Sequence, residues 1–233
     1  GAKDGDGTDS AIVHVPSEPI LGQVIHGYRV QREIGRGGMG AVYEAVHERL
    51  GQRVAIKVMF PEYSRDPEFM RRFRAEARAA SIVRHPGLVT IFNHGLLPGG
   101  MAFIMMEFLQ GESLRSRMLR GKLPQQELLR FCRQISSALC AVHENGITHR
   151  DLKPENVMIV PDGDVEMGQR TKVVDFGIAK TGSMTSRSDA SGTGPQVFLG
   201  TVAYASPEQC QMSSHVDGKA DVYSFGVMIY ELL

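Results

Sequence analysis

At 233 residues, 42% of them hydrophobic, the chain is long enough and apolar enough for one large domain or two lobes. Lys+Arg and Asp+Glu both number 26, so no bulk charge points toward anionic lipid, and no nucleic-acid partner is expected. Three cysteines, Cys132, Cys140 and Cys210, form neither a close Cys-x-x-Cys nor an even disulfide set, which favours a reducing compartment, and no His/Cys cluster has zinc spacing. The longest apolar run, Met101–Met106, stops at Glu107, far short of the roughly 20 residues a membrane helix needs.

Residues 1–19 open with a Gly- and Asp-rich stretch and are expected to be a disordered linker, with order starting between Ile20 and Tyr28. Tyr28–Ile34 alternates like a strand, as does Ala41–Val46, and Gly35-Arg-Gly-Gly-Met-Gly40 lies between them. A plain hairpin turn or a Rossmann loop would also carry such glycines. A Rossmann loop opens a helix, however, and here β-branched and aromatic residues follow, while no Lys-Ser/Thr follows Gly40 as a Walker A loop requires. Strand–glycines–strand is a hairpin whose bare backbone N–H groups can lie over phosphates.

Val54–Phe60 is a third strand carrying one charge, Lys57. Asp66 and Pro67 then start a helix as N-cap and first residue, with Phe69, Phe73, Ala80 and Val83 as its apolar stripe and Glu76 inside that stripe. A lysine in an apolar strand and a glutamate on an apolar helix face are each costly to bury alone and tolerable as a pair; the alternative is that both reach solvent. Arg71, Arg72, Arg74 and Arg78 read as a solvated face. Leu88–Asn93 and Met101–Glu107 complete five strands and one helix, a small lobe over residues 20–107.

From Gly111 the pattern is helical: Ser113–Arg120, then Pro124–Glu144, which stops at Asn145-Gly146. Between Ile147 and Val160 comes Thr-His-Arg-Asp-Leu-Lys-Pro-Glu-Asn, where Pro154 forbids a continuous helix. It brings a carboxylate (Asp151), an ammonium (Lys153) and an amide (Asn156) onto one loop. Each alone is an ordinary polar residue. Together they suit phosphoryl transfer, as an orienter or base for a hydroxyl, a cation for a phosphate and an oxygen for Mg²⁺. Thr171–Val174 is a strand delivering Asp175-Phe-Gly177, and Thr181–Gly194 is a Ser/Thr/Gly-rich loop with seven hydroxyl residues. Asp221–Leu233 is apolar nearly all round and is expected to be a buried central helix.

These motifs, from about Tyr28 to Leu233, resemble those of eukaryotic-type protein kinases, and Asp151-Leu-Lys-Pro-Glu-Asn156 is similar to the serine/threonine branch. GRGGMGAVYEA and GTVAYASPEQ look most like bacterial members. The resemblance implies an α+β, two-lobed fold with ATP in the cleft: a small five-stranded antiparallel lobe plus one helix, and a mainly helical lobe over residues 108–233 that ends within its central helix. Gly35, Gly37, Gly38 and Gly40 would cover the phosphates. Ile34, Val42 and Ala55 would surround adenine, and Met106-Glu107-Phe108 resembles the hinge, although Met106 also fits plain core. Lys57 held by Glu76 would orient the α/β-phosphates, Asn156 and Asp175 would bind Mg²⁺, and Asp151 with Lys153 would serve the transfer.

Arg150 would meet a phosphorylated activation loop, Thr201 and Glu208 resemble the substrate-positioning segment, and Asp221 resembles the acid that braces the catalytic loop. The expected partners are ATP and proteins with Ser/Thr acceptors, with dimerisation for trans-autophosphorylation. The expected location is cytoplasmic, or the cytosolic part of a longer, membrane-anchored chain. Two other classes compete. One is a kinase-like scaffold without transfer, which the presence of Lys57, Asp151 and Asp175 argues against. The other is a small-molecule kinase, which Lys153-Pro-Glu155 and Ser206-Pro-Glu208 argue against. The chain starts without Met and ends inside a helical pattern, so it is expected to be part of a longer protein and not a stable active kinase alone.

Overall fold

The computed structural model describes residues 20–176, 202–211 and 216–233. Strands β1 (Val24–Ile25), β2 (Tyr28–Arg36), β3 (Gly40–His47), β4 (Arg53–Met59), β5 (Ile91–Leu96) and β6 (Ala102–Glu107) form one antiparallel sheet in the order β1-β2-β3-β4-β6-β5. The sheet has six strands where five were expected, because two residues before Tyr28 add an edge. The strand expected at Leu88–Asn93 starts three residues later. Leu88 instead bridges in parallel to Val173, with Val89 N donating to Val173 O at 3.0 Å, so this apolar segment ties the sheet to the helical half.

The alternation of β4 decides what the cleft contains. Val54, Ile56 and Val58 face one core with Val30, Phe103 and Met105, while Ala55 and Met59 face the other with Phe73, Ile104 and Met106. Period two puts Lys57 on the second face. Against that face packs α2 (Pro67–Ile82), preceded by the single turn α1 (Pro61–Ser64). Asp66 caps α2 as its sequence predicts, accepting from the backbone N–H groups of Glu68 and Phe69. Phe69, Met70, Phe73, Ala77 and Ala80 are buried, and Val83, expected in the stripe, is the half-buried residue at which the helix ends.

The helical half comprises α3 (Leu114–Leu119), α4 (Gln125–Glu144), α5 (Pro207–Cys210) and α6 (Gly218–Leu232), with a small sheet β7 (Glu112–Ser113), β8 (Val157–Pro161) and β9 (Gln169–Val173). Leu128, Phe131, Ile135, Leu139 and Val142 of α4 are buried, as their spacing predicts, in the same core as α2 and β4. A Cβ on Gly111 would lie 2.0 Å from the Ile159 carbonyl oxygen, so the chain crosses β8 there only as glycine.

The last helix is buried along one side and exposed along the other. Ala220, Asp221, Ser224, Met228 and Leu232 are buried, whereas Val222, Tyr223 and Tyr230 are exposed, because α6 lies on α4 and the 202–204 turn along one side. Among the described residues no helix is long and apolar enough to cross a membrane. The expected linker 1–19, Gly177, the hydroxyl-rich loop 181–194 and Thr201 lie outside the described residues.

Candidate active site

The small sheet and α6 together fix the loop that carries Asp151, Lys153 and Asn156. Asp221, fully buried on the first turn of α6, accepts the backbone N–H of His149 on Oδ2 and that of Arg150 on Oδ1, both at 2.8 Å. His143 Nε2 of α4 lies 2.8 Å from the same Oδ2. The buried His149 ring bonds the Val174 carbonyl through Nε2 at 3.0 Å and accepts Asp151 N–H on Nδ1 at 3.2 Å. It also packs at 5.2 Å on Phe176. Val174 N–H donates in turn to Asn156 O at 2.9 Å. A buried carboxylate needs several donors, and here they are the backbone of the loop it supports.

On that base the polar residues converge. Asn156 Nδ2 donates to Asp151 O at 2.8 Å and to Asp151 Oδ2 at 3.1 Å, and Lys153 Nζ is 3.5 Å from the same Oδ2. Asn156 Oδ1 makes no hydrogen bond among the described residues. Asp175 follows Val174, whose N–H is bonded to Asn156 O, and its Oδ1 takes the Lys57 ammonium at 2.8 Å. Burial pushes the Asp175 carboxyl up. The Lys57 charge and hydrogen bond, with His149 and Lys153 nearby, outweigh burial and hold it below the ordinary carboxylate value.

The expected pair of Lys57 with Glu76 does not form. Lys57 is with Asp175, and Glu76 Oε1 receives Arg150 NH1 at 3.2 Å. Two cations and two anions share this wall of the cleft, and either pairing neutralises all four. The choice belongs to the placement of α2, which charge pattern does not encode. The same pairing gives Arg150, expected to meet a phosphorylated loop, a carboxylate partner from α2.

The glycine hairpin closes with Gly37 N–H on Gly40 O at 2.9 Å. A Cβ on Gly40 would sit 2.2 Å from Val58 O, whereas nothing lies within 4 Å of one on Gly35. Gly40 is thus needed for close approach to β4, and Gly35 keeps open the space a side chain would fill. Gly38 O accepts the Tyr63 hydroxyl at 3.3 Å. One row across the sheet reads Gly35, Val42, Lys57, Ile104, and the next pairs Ala55 with Met106, so Val42, Ala55, Lys57 and Met106 share a face. Met106 is buried in the core there, and Ile34 is exposed beside the hairpin.

Glu107 and Phe108 end this sheet, but their side chains are used by the protein itself. Glu107 Oε1 accepts Thr90 N–H at 2.7 Å and Lys172 Nζ at 2.6 Å, and the Arg53 guanidinium lies 4.0 Å over the Phe108 ring. Glu208 has no hydrogen bond or ion pair among the described residues; its neighbour Gln209 reaches Arg150 O at 2.9 Å and accepts Ser206 N–H on Oε1 at 3.1 Å. Sequence reading missed His143, His149, Lys172 and Gln209. For His149 a signal existed, since it is the residue between Thr148 and Arg150 in the loop; for Lys172 and Gln209 nothing in the pattern marks them.

Residues 28–233 match the protein kinase domain family. The chain belongs to the protein kinase family. It is 42% identical over 219 residues to the serine/threonine-protein kinase PknA of Mycobacterium tuberculosis, covering 91% of this chain and 48% of that protein. It is 40% identical over 207 residues to PknL of the same organism, covering 88% and 49%. To the serine/threonine-protein kinase pkn2 of Myxococcus xanthus it is 41% identical over 206 residues, covering 88% and 24%. The crystal structure of the M. tuberculosis PknI kinase domain superposes with a TM-score of 0.71 at 30% identity, covering 91% of this chain and 75% of that one. The α+β kinase fold and the bacterial character of the sequence agree with these relatives. The chain spans about half the length of PknA and PknL.

A kinase family member uses ATP and Mg²⁺, and the donors here fit a hard cation. Asn156 directly precedes β8 and Asp175 follows β9, the strand paired with it, so one amide oxygen and one carboxylate are on offer, a set that leaves most coordination positions to phosphate and water.

Proposed function

We propose that this chain transfers the γ-phosphate of ATP to Ser/Thr hydroxyls of proteins. The observation that carries the reading is that Asp151, Lys153 and Asn156 touch one another on one loop, while Asp175, next to the Val174 that bonds Asn156, touches Lys57 from the opposite lobe. Bound Mg²⁺ would neutralise charge on phosphate oxygens. Asn156 and Asp175 would hold it. Gly35, Gly37, Gly38 and Gly40 would lie over the phosphates, Ile34, Val42, Ala55 and Met106 around adenine, and the backbone of Glu107 and Phe108 at its edge. Asp151 orients the acceptor hydroxyl and takes its proton, Lys153 steadies the departing phosphate, and Lys57 orients the rest. Catalysis is then largely positioning and charge neutralisation.

In this reading the observed pairs are a resting arrangement. Lys57 cannot serve phosphates while it neutralises Asp175, and Glu76 must leave Arg150 to reach it. A phosphate added to the 181–193 segment would compete for Arg150 and free Glu76. Two copies of the chain would phosphorylate each other there, with Thr201 and Glu208 helping to seat the substrate, and the site would face the cytosol.

The crossed pairs also suit a scaffold that binds nucleotide without transferring phosphate. Mass spectrometry of the recombinant protein and of Asp151→Asn separates the two readings. Phosphate on Thr181–Thr193 of the parent, absent from the variant, is expected. Mg-ATP binding with no phosphate on the chain or on a generic protein acceptor would sink the enzyme reading.

A further inference from the structure

Glu44 is a buried carboxylate that the transfer chemistry does not use. It lies on β3 with its side chain 9% exposed, and two guanidiniums meet it. Arg53 Nε donates to its Oε1 at 2.7 Å, with Arg53 NH2 2.6 Å from the same oxygen, and Arg32 NH2 stands 2.7 Å from Oε2. A carboxylate buried in a sheet needs such partners, so the group could be no more than a strut across β2, β3 and β4. Strand register gives it a further meaning. Glu44 pairs with Arg32 on one side and with Ala55 on the other, and Ala55 pairs with Met106, so all four lie in one row across the sheet. That row shares the cleft face with Val42 and Lys57. Arg53, two residues before Ala55 on β4, projects to the same face.

Arg53 does more than neutralise Glu44. Its guanidinium also covers the Phe108 ring, 4.0 Å from the centroid. Val54 pairs with Glu107, so Phe108, the next residue, leaves the sheet opposite Arg53. Phe108 is half-buried and packs against the core that includes Ala55 and Met106. One ring is thus held between an apolar core and a cation, and the cation is itself anchored on a buried carboxylate.

We propose that Arg53, anchored by Glu44, is a positioning residue for the nucleotide: it holds the Phe108 ring aside, so that the 107–108 backbone stands open to the adenine edge. A ring stripped of that cover has the slot beside Ala55 and Met106 as its nearest apolar shelter, and adenine would then have to displace it. The effect falls on nucleotide binding and spares the transfer step, whose Asp151 and Lys153 sit on the loop of the other lobe. The inference rests on the protein-kinase reading above and names the residue that prepares its adenine end.

The test is a KM-against-kcat split for ATP with a generic protein acceptor, alongside the dissociation constant of Mg-ATP by calorimetry. Arg53 is 39% exposed, so its truncation spares the fold. Arg53→Ala should raise KM for ATP and the dissociation constant by about fivefold, the size of a partly exposed cation–π contact, with kcat within about twofold of the parent. Arg53→Lys keeps a cation beside Glu44 and over the ring, and should restore most of the loss. Glu44→Gln should shift KM in the same direction by a smaller factor, because the guanidinium keeps the ring but loses its anchor. KM and the dissociation constant unmoved in Arg53→Ala, with only the thermal midpoint lowered, would make the cluster a strut and overturn the inference while the kinase reading stands. A fall in kcat alone would overturn it too. A parent that binds Mg-ATP but transfers no phosphate fails the enzyme reading only, and the dissociation constants still decide for or against Arg53. A parent that binds no Mg-ATP overturns both.

Discussion

The loop from His149 to Asn156 and the wall formed by Lys57 and Glu76 both present charged groups to one cleft, yet they are held by different means. The loop is fixed through its backbone. Asp221 binds two of its N–H groups, His149 reaches across to Val174, and Asn156 folds back on Asp151. That support holds two non-glycine residues with positive φ, Arg150 at 63° and Asp175 at 55°, each costing on the order of 1–3 kcal/mol elsewhere. The wall is held through side-chain ends, among them the Lys57–Asp175 and Glu76–Arg150 ion pairs, whose members can trade partners as α2 shifts. Backbone support builds a site, and exchangeable ends let it be switched.

Removing the charges that do the chemistry should cost the most. Lys57→Met or Asp175→Ala should each lose on the order of 10²–10⁴ in transfer rate, about 3–5.5 kcal/mol of barrier. Labelled-ATP transfer to a protein acceptor measures it, and near-parental turnover in both would refute their assigned roles.

Next in size is the brace. Asp221→Ala leaves the buried His149 N–H and the part-buried Arg150 N–H without their acceptor, at about 1–3 kcal/mol each, so a loss of about 2–6 kcal/mol in unfolding free energy is expected. Urea denaturation checks it. A loss below about 0.5 kcal/mol, within the range of an ordinary surface change, would mean that the loop is not held from beneath.

What could be read from the sequence follows the same division. The strand alternation that aims Lys57 at the cleft, the α2 cap at Asp66, the α4 stripe and the loop triad of Asp151, Lys153 and Asn156 are all local patterns, and local patterns survive into the fold. The partner of Glu76 is not local. It depends on a helix placement that costs little to change, and Arg150 was as available as Lys57. The missed Lys172 illustrates the same limit, since a lysine in an ordinary alternating strand acquires meaning only when Glu107, far away in the chain, arrives beside it. Apolar character all round α6 does not by itself tell which sides find partners within the chain.

Glu76→Gln separates the two kinds of support. The Glu76–Arg150 pair is about a quarter exposed on each side, so its loss should change stability by less than about 1 kcal/mol. Transfer should nonetheless fall by about tenfold or more, because Lys57 then has no anionic partner to take once it leaves Asp175. Equal, small effects on both would show that Glu76 never trades partners.

The smallest expected effect is the pH dependence of the Lys57–Asp175 pair. The folded carboxyl sits below its unfolded value of about 3.9, so the folded state binds fewer protons there than the unfolded chain. Its contribution to stability is therefore complete above about pH 5 and is lost as pH falls through the lowered folded value. Other carboxyls, among them Asp162 and Glu231, are also held low and share the acid limb. Asp175→Asn isolates the one that matters: urea midpoints of parent and variant should run parallel above about pH 5 and converge below it, because only the parent loses the pair. Midpoints that stay parallel to the acid end would mean that Lys57 does not hold Asp175 ionised, and the resting arrangement would lose its central contact.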